Sequence, residues 1–169
     1  MPQLGRSTME IYLLRHGIAE DQSPTQQDAH RALTSEGAAR LREVLTTVAK
    51  AGNAPQLILT SPYVRARQTA EIAREILKIK QDLVETHALT PMAQPREAWE
   101  EIRALRSESS ILLASHVPLM GQLLAFLLGV PGLQVEFKKG AIARVDVHGF
   151  GPTPRGVLKW FLTAKLGRT

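Results

Sequence analysis

The sequence predicts an α/β protein of three layers, with a mainly parallel sheet between helices. Two observations carry this. Short apolar runs of strand length alternate with longer segments whose apolar residues recur at helical spacing. The chain also has 169 residues, 44% hydrophobic and 22% charged, enough for one domain with a buried core.

Ile11–Leu14 opens the pattern as a short apolar run, read as a buried strand. Thr34 is placed to cap the first helix, with Glu36 favourable in its first turn. Leu41, Val44, Leu45 and Val48 share one face of that helix, and Gly52 suits its end. Leu57–Leu59 is the second strand. Ser61 and Pro62 then stand as cap and first residue of the second helix. Its inner face is Thr69, Ile72, Ala73 and Ile76. Leu83-Val84 is a short third strand. Pro95 opens a helix carrying Ala98, Trp99, Ile102 and Leu105, and Ile111–Ala114 is the fourth strand. Pro118 starts an almost wholly apolar helix that Gly129 and Pro131 stop at Leu128; apolar all round, it belongs in the core. Ile142–Val147 and Val157–Leu162 are two final strands, paired through the turn at Gly149–Gly156. Residues 1–9 are expected as a flexible extension and 10–165 as a single domain.

Composition excludes several functions. Cysteine is absent, so there is no disulfide framework, thiolate metal site or cysteine nucleophile, and a cytoplasmic location is expected. The longest uninterrupted apolar run, Leu123–Leu128, falls far short of a membrane span, and Met1–Met9 lacks the apolar core of a leader. Neither a membrane partner nor a leader is therefore expected. The net charge is +5, and its position is uneven. Residues 1–133 hold 14 basic and 14 acidic side chains, residues 134–169 hold 7 and 2. Aromatic residues are only 5% of the chain, too few for the stacking platform of a single-strand binder. No nucleic-acid partner is expected, and the C-terminal charge reads as a solvated strand edge and basic tail.

In parallel α/β sheets the ligand site lies beyond the carboxyl ends of the strands. That rule selects three places: Arg15-His16-Gly17, Thr60-Ser61 and Ser115-His116. A guanidinium at Arg15 is a natural fork for phosphate or carboxylate oxygens. Gly17 lets the backbone turn and approach a ligand closely. Arg65 falls in the first turn of the second helix, where a cation opposes the helix dipole unless an anion sits nearby. Arg67 lies about 200° further round, so only one of the two faces a common ligand. His116 sits at the fourth strand-to-helix junction, while His30, His87 and His148 have no comparable setting. No phosphate loop, dinucleotide fingerprint, serine elbow or paired-histidine metal motif is present, and no metal or cofactor is expected.

Two histidines and two arginines at converging strand ends define a pocket for a tetrahedral dianion. Leu13-Leu14-Arg15-His16-Gly17, Ser61-Pro62 with Arg65-Ala66 and Gln68-Thr69-Ala70, and Ser115-His116 resemble, in order and spacing, the histidine phosphatase superfamily, the phosphoglycerate mutase-like enzymes. Arg31-Ala32-Leu33-Thr34, Leu89-Thr90-Pro91, Ser115–Leu119 and Gly140–Ala143 are most similar to its short phosphohistidine phosphatase branch, SixA. The resemblance runs from about Ile11 to Leu162.

It implies a two-step phosphoryl transfer in which His16 is the nucleophile and Arg15, Arg65 and His116 bind the oxygens, with Gly17 and Ser61 beside the substrate. The implied substrate is a phosphohistidine-containing protein such as a phosphotransfer domain. The alternatives are a small phosphorylated substrate cleaved by a phosphomonoesterase, or a phosphate-binding module without turnover. Larger members carry a Leu-x-Glu whose glutamate protonates the leaving oxygen, and Leu89-Thr90-Pro91 has no carboxylate there. An alkoxide needs that proton, whereas an imidazole leaving from phosphohistidine does not. Glu20 and Asp21 are the expected substitutes if an acid is used.

Overall fold

The computed structural model describes residues 8–168. One six-stranded sheet has the order β3-β2-β4-β1-β5-β6. Strands β1 (Thr8–Arg15), β2 (Leu57–Thr60), β3 (Val84–Glu85) and β4 (Ser110–Ser115) run parallel; β5 (Ile142–His148) pairs antiparallel with β1, and the edge strand β6 (Gly156–Leu162) pairs antiparallel with β5. Helices α1 (Ser35–Lys50), α2 (Val64–Ile76), α3 (Pro95–Ala104) and α4 (Leu119–Leu128) provide the outer layers. The α/β architecture and mainly parallel sheet follow the sequence expectation.

Strand alternation divides the core between two faces. Ile11 and Leu13 of β1 join Leu59, Ile111, Leu113, Trp99 and Leu123 on the side of α3 and α4. Tyr12 and Leu14 point the other way, to Ile58, Leu112, Leu41, Val44 and Ile72 beneath α1 and α2. Every residue of β2 and β4 is buried, as a central parallel strand requires. Thr34 caps α1 as expected, accepting the Gly37 N–H at 2.9 Å. Gly129 ends α4 at φ 69°, a left-handed conformation that favours glycine.

Three expectations are corrected. Ser61 and Pro62 do not start α2; the helix begins at Val64 after Tyr63. The Ser61 hydroxyl instead accepts the Tyr63 N–H at 3.2 Å and meets His116, which delays the helix by two residues. The extension expected over residues 1–9 loses its last two: Thr8 and Met9 belong to β1, and Met9 pairs with Val147 and is fully buried. Residues 1–7 lie outside the described residues. At the other end the fold runs past Lys165, since Gly167 is buried and its carbonyl accepts from Thr47 at 2.6 Å. A Cβ at Gly167 would lie 2.6 Å from Val44.

Candidate active site

The parallel register brings the carboxyl ends of β1, β2 and β4 level. Arg15 pairs with Ser115, and Thr60 with Ala114. The chain leaves each strand through a hydrogen bond to β4: His16 N–H to Ser115 O at 2.9 Å and Ser61 N–H to Ala114 O at 3.0 Å. His16, Ser61 and His116 therefore meet although they are far apart in sequence.

His16 is 6% exposed. Its Nδ1 lies 2.7 Å from the Gly17 carbonyl, an oxygen that can only accept, so Nδ1 carries the proton. Nε2 is left with its lone pair, toward which Arg65 Nε–H points at 3.3 Å. Burial, together with the positive charges of Arg65, Arg15 and Lys139, outweighs the Gly17 bond and lowers the His16 pKa to about 3. The imidazole is neutral at pH 7, with Nε2 unprotonated beside the Arg65 guanidinium.

His116 stands edge-on to it, ring centroids 5.1 Å apart. Its Nε2 lies 2.8 Å from Ser61 Oγ, and its Nδ1 is buried without a hydrogen-bond partner among the described residues. Burial and the neighbouring His16 and Arg65 push its pKa down to about 2. Tyr63 closes the other side: its ring lies 5.0 Å from the His116 ring and 5.1 Å from the Arg65 guanidinium carbon. The chain reading missed Tyr63, although its place between Pro62 and the arginine helix was a signal.

Arg65 faces His16 and is 4% exposed, whereas Arg67 points outward to Glu85 and Glu71. The helical phase therefore separates the two arginines as anticipated. Arg65 Nη1 donates to the Asp28 carbonyl at 2.8 Å and Nη2 to the Asp28 carboxylate at 3.1 Å. Desolvation raises the Asp28 pKa, but bonds from Arg31 and Arg65 outweigh it and hold the carboxyl below its ordinary value. Arg15 donates through Nη1 to the Phe137 carbonyl at 2.8 Å, while its Nε is buried with no partner among the described residues. Two guanidinium groups and two neutral imidazoles thus stand at the strand ends, where the buried Arg15 Nε and His116 Nδ1 lack partners among the described residues. That is the donor chemistry of a tetrahedral oxyanion.

Two anticipated residues fall elsewhere. Glu20 is exposed; its carboxylate accepts from Ala32 N–H at 3.3 Å, and none of its hydrogen bonds reaches His16, Arg65 or His116. The carboxylate that touches the site is Asp28, which the sequence reading passed over. Gly17 does not offer its N–H to a ligand, because Thr69 Oγ1 accepts it at 3.2 Å. Its glycine identity answers to packing, since a Cβ there would lie 2.7 Å from Leu41 Cδ1. Leu89 is buried, its carbonyl bonded by Ser115 Oγ at 2.6 Å, and the stretch through Pro91 brings no carboxylate to the site. Among the described residues no group of three or more His, Asp or Glu side chains gathers as a metal site, and no helix is long and apolar enough to cross a membrane.

Fold and site together define an α/β protein with a buried, neutral histidine flanked by arginines at the carboxyl ends of its parallel strands. Residues 11–92 match the histidine phosphatase superfamily (branch 1). The chain is 30% identical over 155 residues to phosphohistidine phosphatase SixA of Escherichia coli, covering 90% of this chain and 92% of that protein. It is 33% identical over 153 residues to an uncharacterized protein of Picosynechococcus, covering 83% and 90% of the two chains. Among solved structures, the protein histidine phosphatase SixA complexed with tungstate superposes with a TM-score of 0.83 at 28% identity, covering 93% of this chain and 98% of that one. The chain belongs to the histidine phosphatase superfamily.

Proposed function

We propose that the protein is a phosphohistidine phosphatase that works through a phosphohistidine on His16. The observation that carries this is the tautomer: Nδ1–H is tied to the Gly17 carbonyl, which leaves Nε2 unprotonated, its lone pair accepting from Arg65 Nε–H. In the first step His16 Nε2 attacks phosphorus in line. The Nε2–P bond forms as the substrate's P–N bond breaks, and the departing ring, already protonated on its other nitrogen, keeps the electron pair and leaves as neutral imidazole. The Nδ1–H bond to Gly17 stabilises the positive charge that builds on the His16 ring. In the second step water attacks phosphorus, the Nε2–P bond breaks, and phosphate and neutral His16 are released. Arg15, Arg65 and His116 hold the equatorial oxygens, where donors act most strongly as charge spreads in the transition state. The two guanidinium groups supply the positive charge that the transferring phosphoryl group requires.

The substrate class rests on the missing acid and on the similarity to SixA of Escherichia coli. Asp28 is kept ionised by Arg31 and Arg65 and so is a poor proton donor for an alkoxide. A phosphoramidate needs less help. The proposed substrate is accordingly a phosphohistidine-bearing protein met in the cytoplasm, with no nucleic acid or membrane involved.

The test compares phosphohistidine peptide, phosphoramidate and a panel of alkyl phosphates without added metal. General acid catalysis is worth roughly 10²–10⁴-fold, so alkyl phosphates should be slower by about that factor. Sugar phosphates cleaved as fast as phosphohistidine would move the protein to the phosphomonoesterase reading.

A further inference from the structure

A basic cavity adjoins the phosphate site. It has a volume of about 510 Å³ and opens between the first turns of α1, the Phe137–Gly140 turn and the segment after β6. Arg15 and Gly17 line it, so it adjoins the strand end that carries His16. Arg40, Lys138, Lys139 and Lys165 bring the remaining charge, and among the described residues no carboxylate lines it. Glu36 neutralises Arg40, and Glu136 lies 3.7 Å from Lys138. Lys139 and Lys165 form no ion pair among the described residues.

The position of these lysines is built, not incidental. Gly140 N–H donates to both the Arg15 and His16 carbonyls, at 3.2 and 3.0 Å, and Arg15 Nη1 returns a bond to Phe137. Gly140 adopts φ +75°, which lets the turn close onto β1. Ala141 N–H then bonds Lys138 O at 2.9 Å. The far wall is pinned as well, by Gly167 N–H to Thr163 O at 2.9 Å and by Thr47 to Gly167. Two lysine-bearing segments are thus locked to the site while their ammonium groups stay exposed on flexible stems. Lys138, Lys139 and Lys165 also belong to the C-terminal region that holds all of the chain's excess positive charge.

Exposed ammonium groups spread around an open rim do not suit a compact second phosphate, which is better held by converging N–H groups and guanidinium forks. They suit carboxylates presented on a partner's surface, where charge complementarity speeds encounter and selects partners. We propose that this cavity is a subsite for acidic side chains flanking the phosphohistidine of a protein substrate. The inference rests on the phosphohistidine reading and extends it from the reacting group to the partner's surface.

Two phosphohistidine peptides of equal length test it, one with Asp and Glu flanking the phosphohistidine and one with Asn and Gln. Their kcat/KM values are compared for the native protein, the Lys139→Gln/Lys165→Gln variant and Lys165→Glu. Each value is normalised to that protein's own turnover of phosphoramidate, which has no flanking group. One exposed ion pair multiplies affinity by roughly 1.5- to 5-fold. Two or three together give the native protein about a tenfold preference for the acidic peptide at low salt, shrinking as salt is added. The double variant should bring that preference near unity, and Lys165→Glu should reduce it further. Equal rates on the two peptides with the native protein, or a preference that both variants retain, overturns the subsite while leaving the phosphohistidine reading intact. If neither peptide is hydrolysed while a sugar phosphate is, the phosphohistidine reading itself fails, and the protein partner with it.

Discussion

Lowering the pH from 7.5 to 5 should destabilise the fold through two histidines. His16 is 6% exposed and His116 1% exposed. Burial, then the neighbouring positive charges, takes their pKa values from 6.5 to about 3 and about 2. Above 6.5 neither the folded nor the unfolded chain holds the extra protons, and there is no effect. Below 6.5 the unfolded chain binds them and the folded chain does not, so stability falls as pH drops toward the folded values. One pH unit across this window is worth about 1.36 kcal/mol per group. At pH 5 each histidine therefore removes about 2 kcal/mol and the pair about 4 kcal/mol, a large share of a typical domain's roughly 5–15 kcal/mol. Relaxation around a protonated ring makes this an upper figure. The assay is urea unfolding at pH 7.5 and 5.0 in phosphate-free buffer, for the native protein, His16→Asn and His116→Asn. Carboxylate titration is common to all three and cancels in the comparison. Each variant should lose about 2 kcal/mol less between the two pH values than the native protein does. A drop in His16→Asn equal to the native one would refute the argument that burial keeps this ring neutral.

His16→Ala should nearly abolish turnover with the fold retained, and brief reaction of the native protein should trap an acid-labile, base-stable phosphate on His16 alone; mass spectrometry of the quenched protein checks this. Arg65→Ala should lower kcat/KM by about 10²–10³, as for other donors to a transition-state oxyanion, while Arg67→Ala on the outer face of α2 should leave steady-state kinetics within about twofold of native. Asp28→Asn should raise KM for phosphohistidine peptide more than it lowers kcat, because it loosens Arg65 rather than removing it; Glu20→Gln, bonded only to the Arg31–Ala32 stretch, should move neither. Gly37→Ala should be strongly destabilising in thermal unfolding, since its Cβ would lie 2.2 Å from the backbone oxygen of Ile18 and neither backbone can yield cheaply.

Several features were legible in the chain itself because they depend on neighbours. The apolar runs of β1, β2 and β4 announce buried parallel strands, and the periodicity of α1 and α2 shows which faces they bury. Helical phase alone separates Arg65 from Arg67, since turning two residues along a helix carries a side chain to the far side. The strand-end rule was sufficient to place Arg15, His16, Ser61 and His116 at the carboxyl ends of the inner strands. Other features only the tertiary structure decided. Asp28 reaches Arg65 across 37 residues, from a single 3-10 turn at Asp28–His30 with no apolar periodicity to mark it. Glu20 and Asp28 look alike in sequence, and only the path of their shared loop sends one to solvent and the other to the arginine. The basic cavity joins α1 to segments around residues 138 and 165, and the start of α2 depends on what Ser61 meets from β4. Periodicity reports which side of an element is buried; it carries no information about which distant polar group will be waiting there, because that is set by how the elements pack.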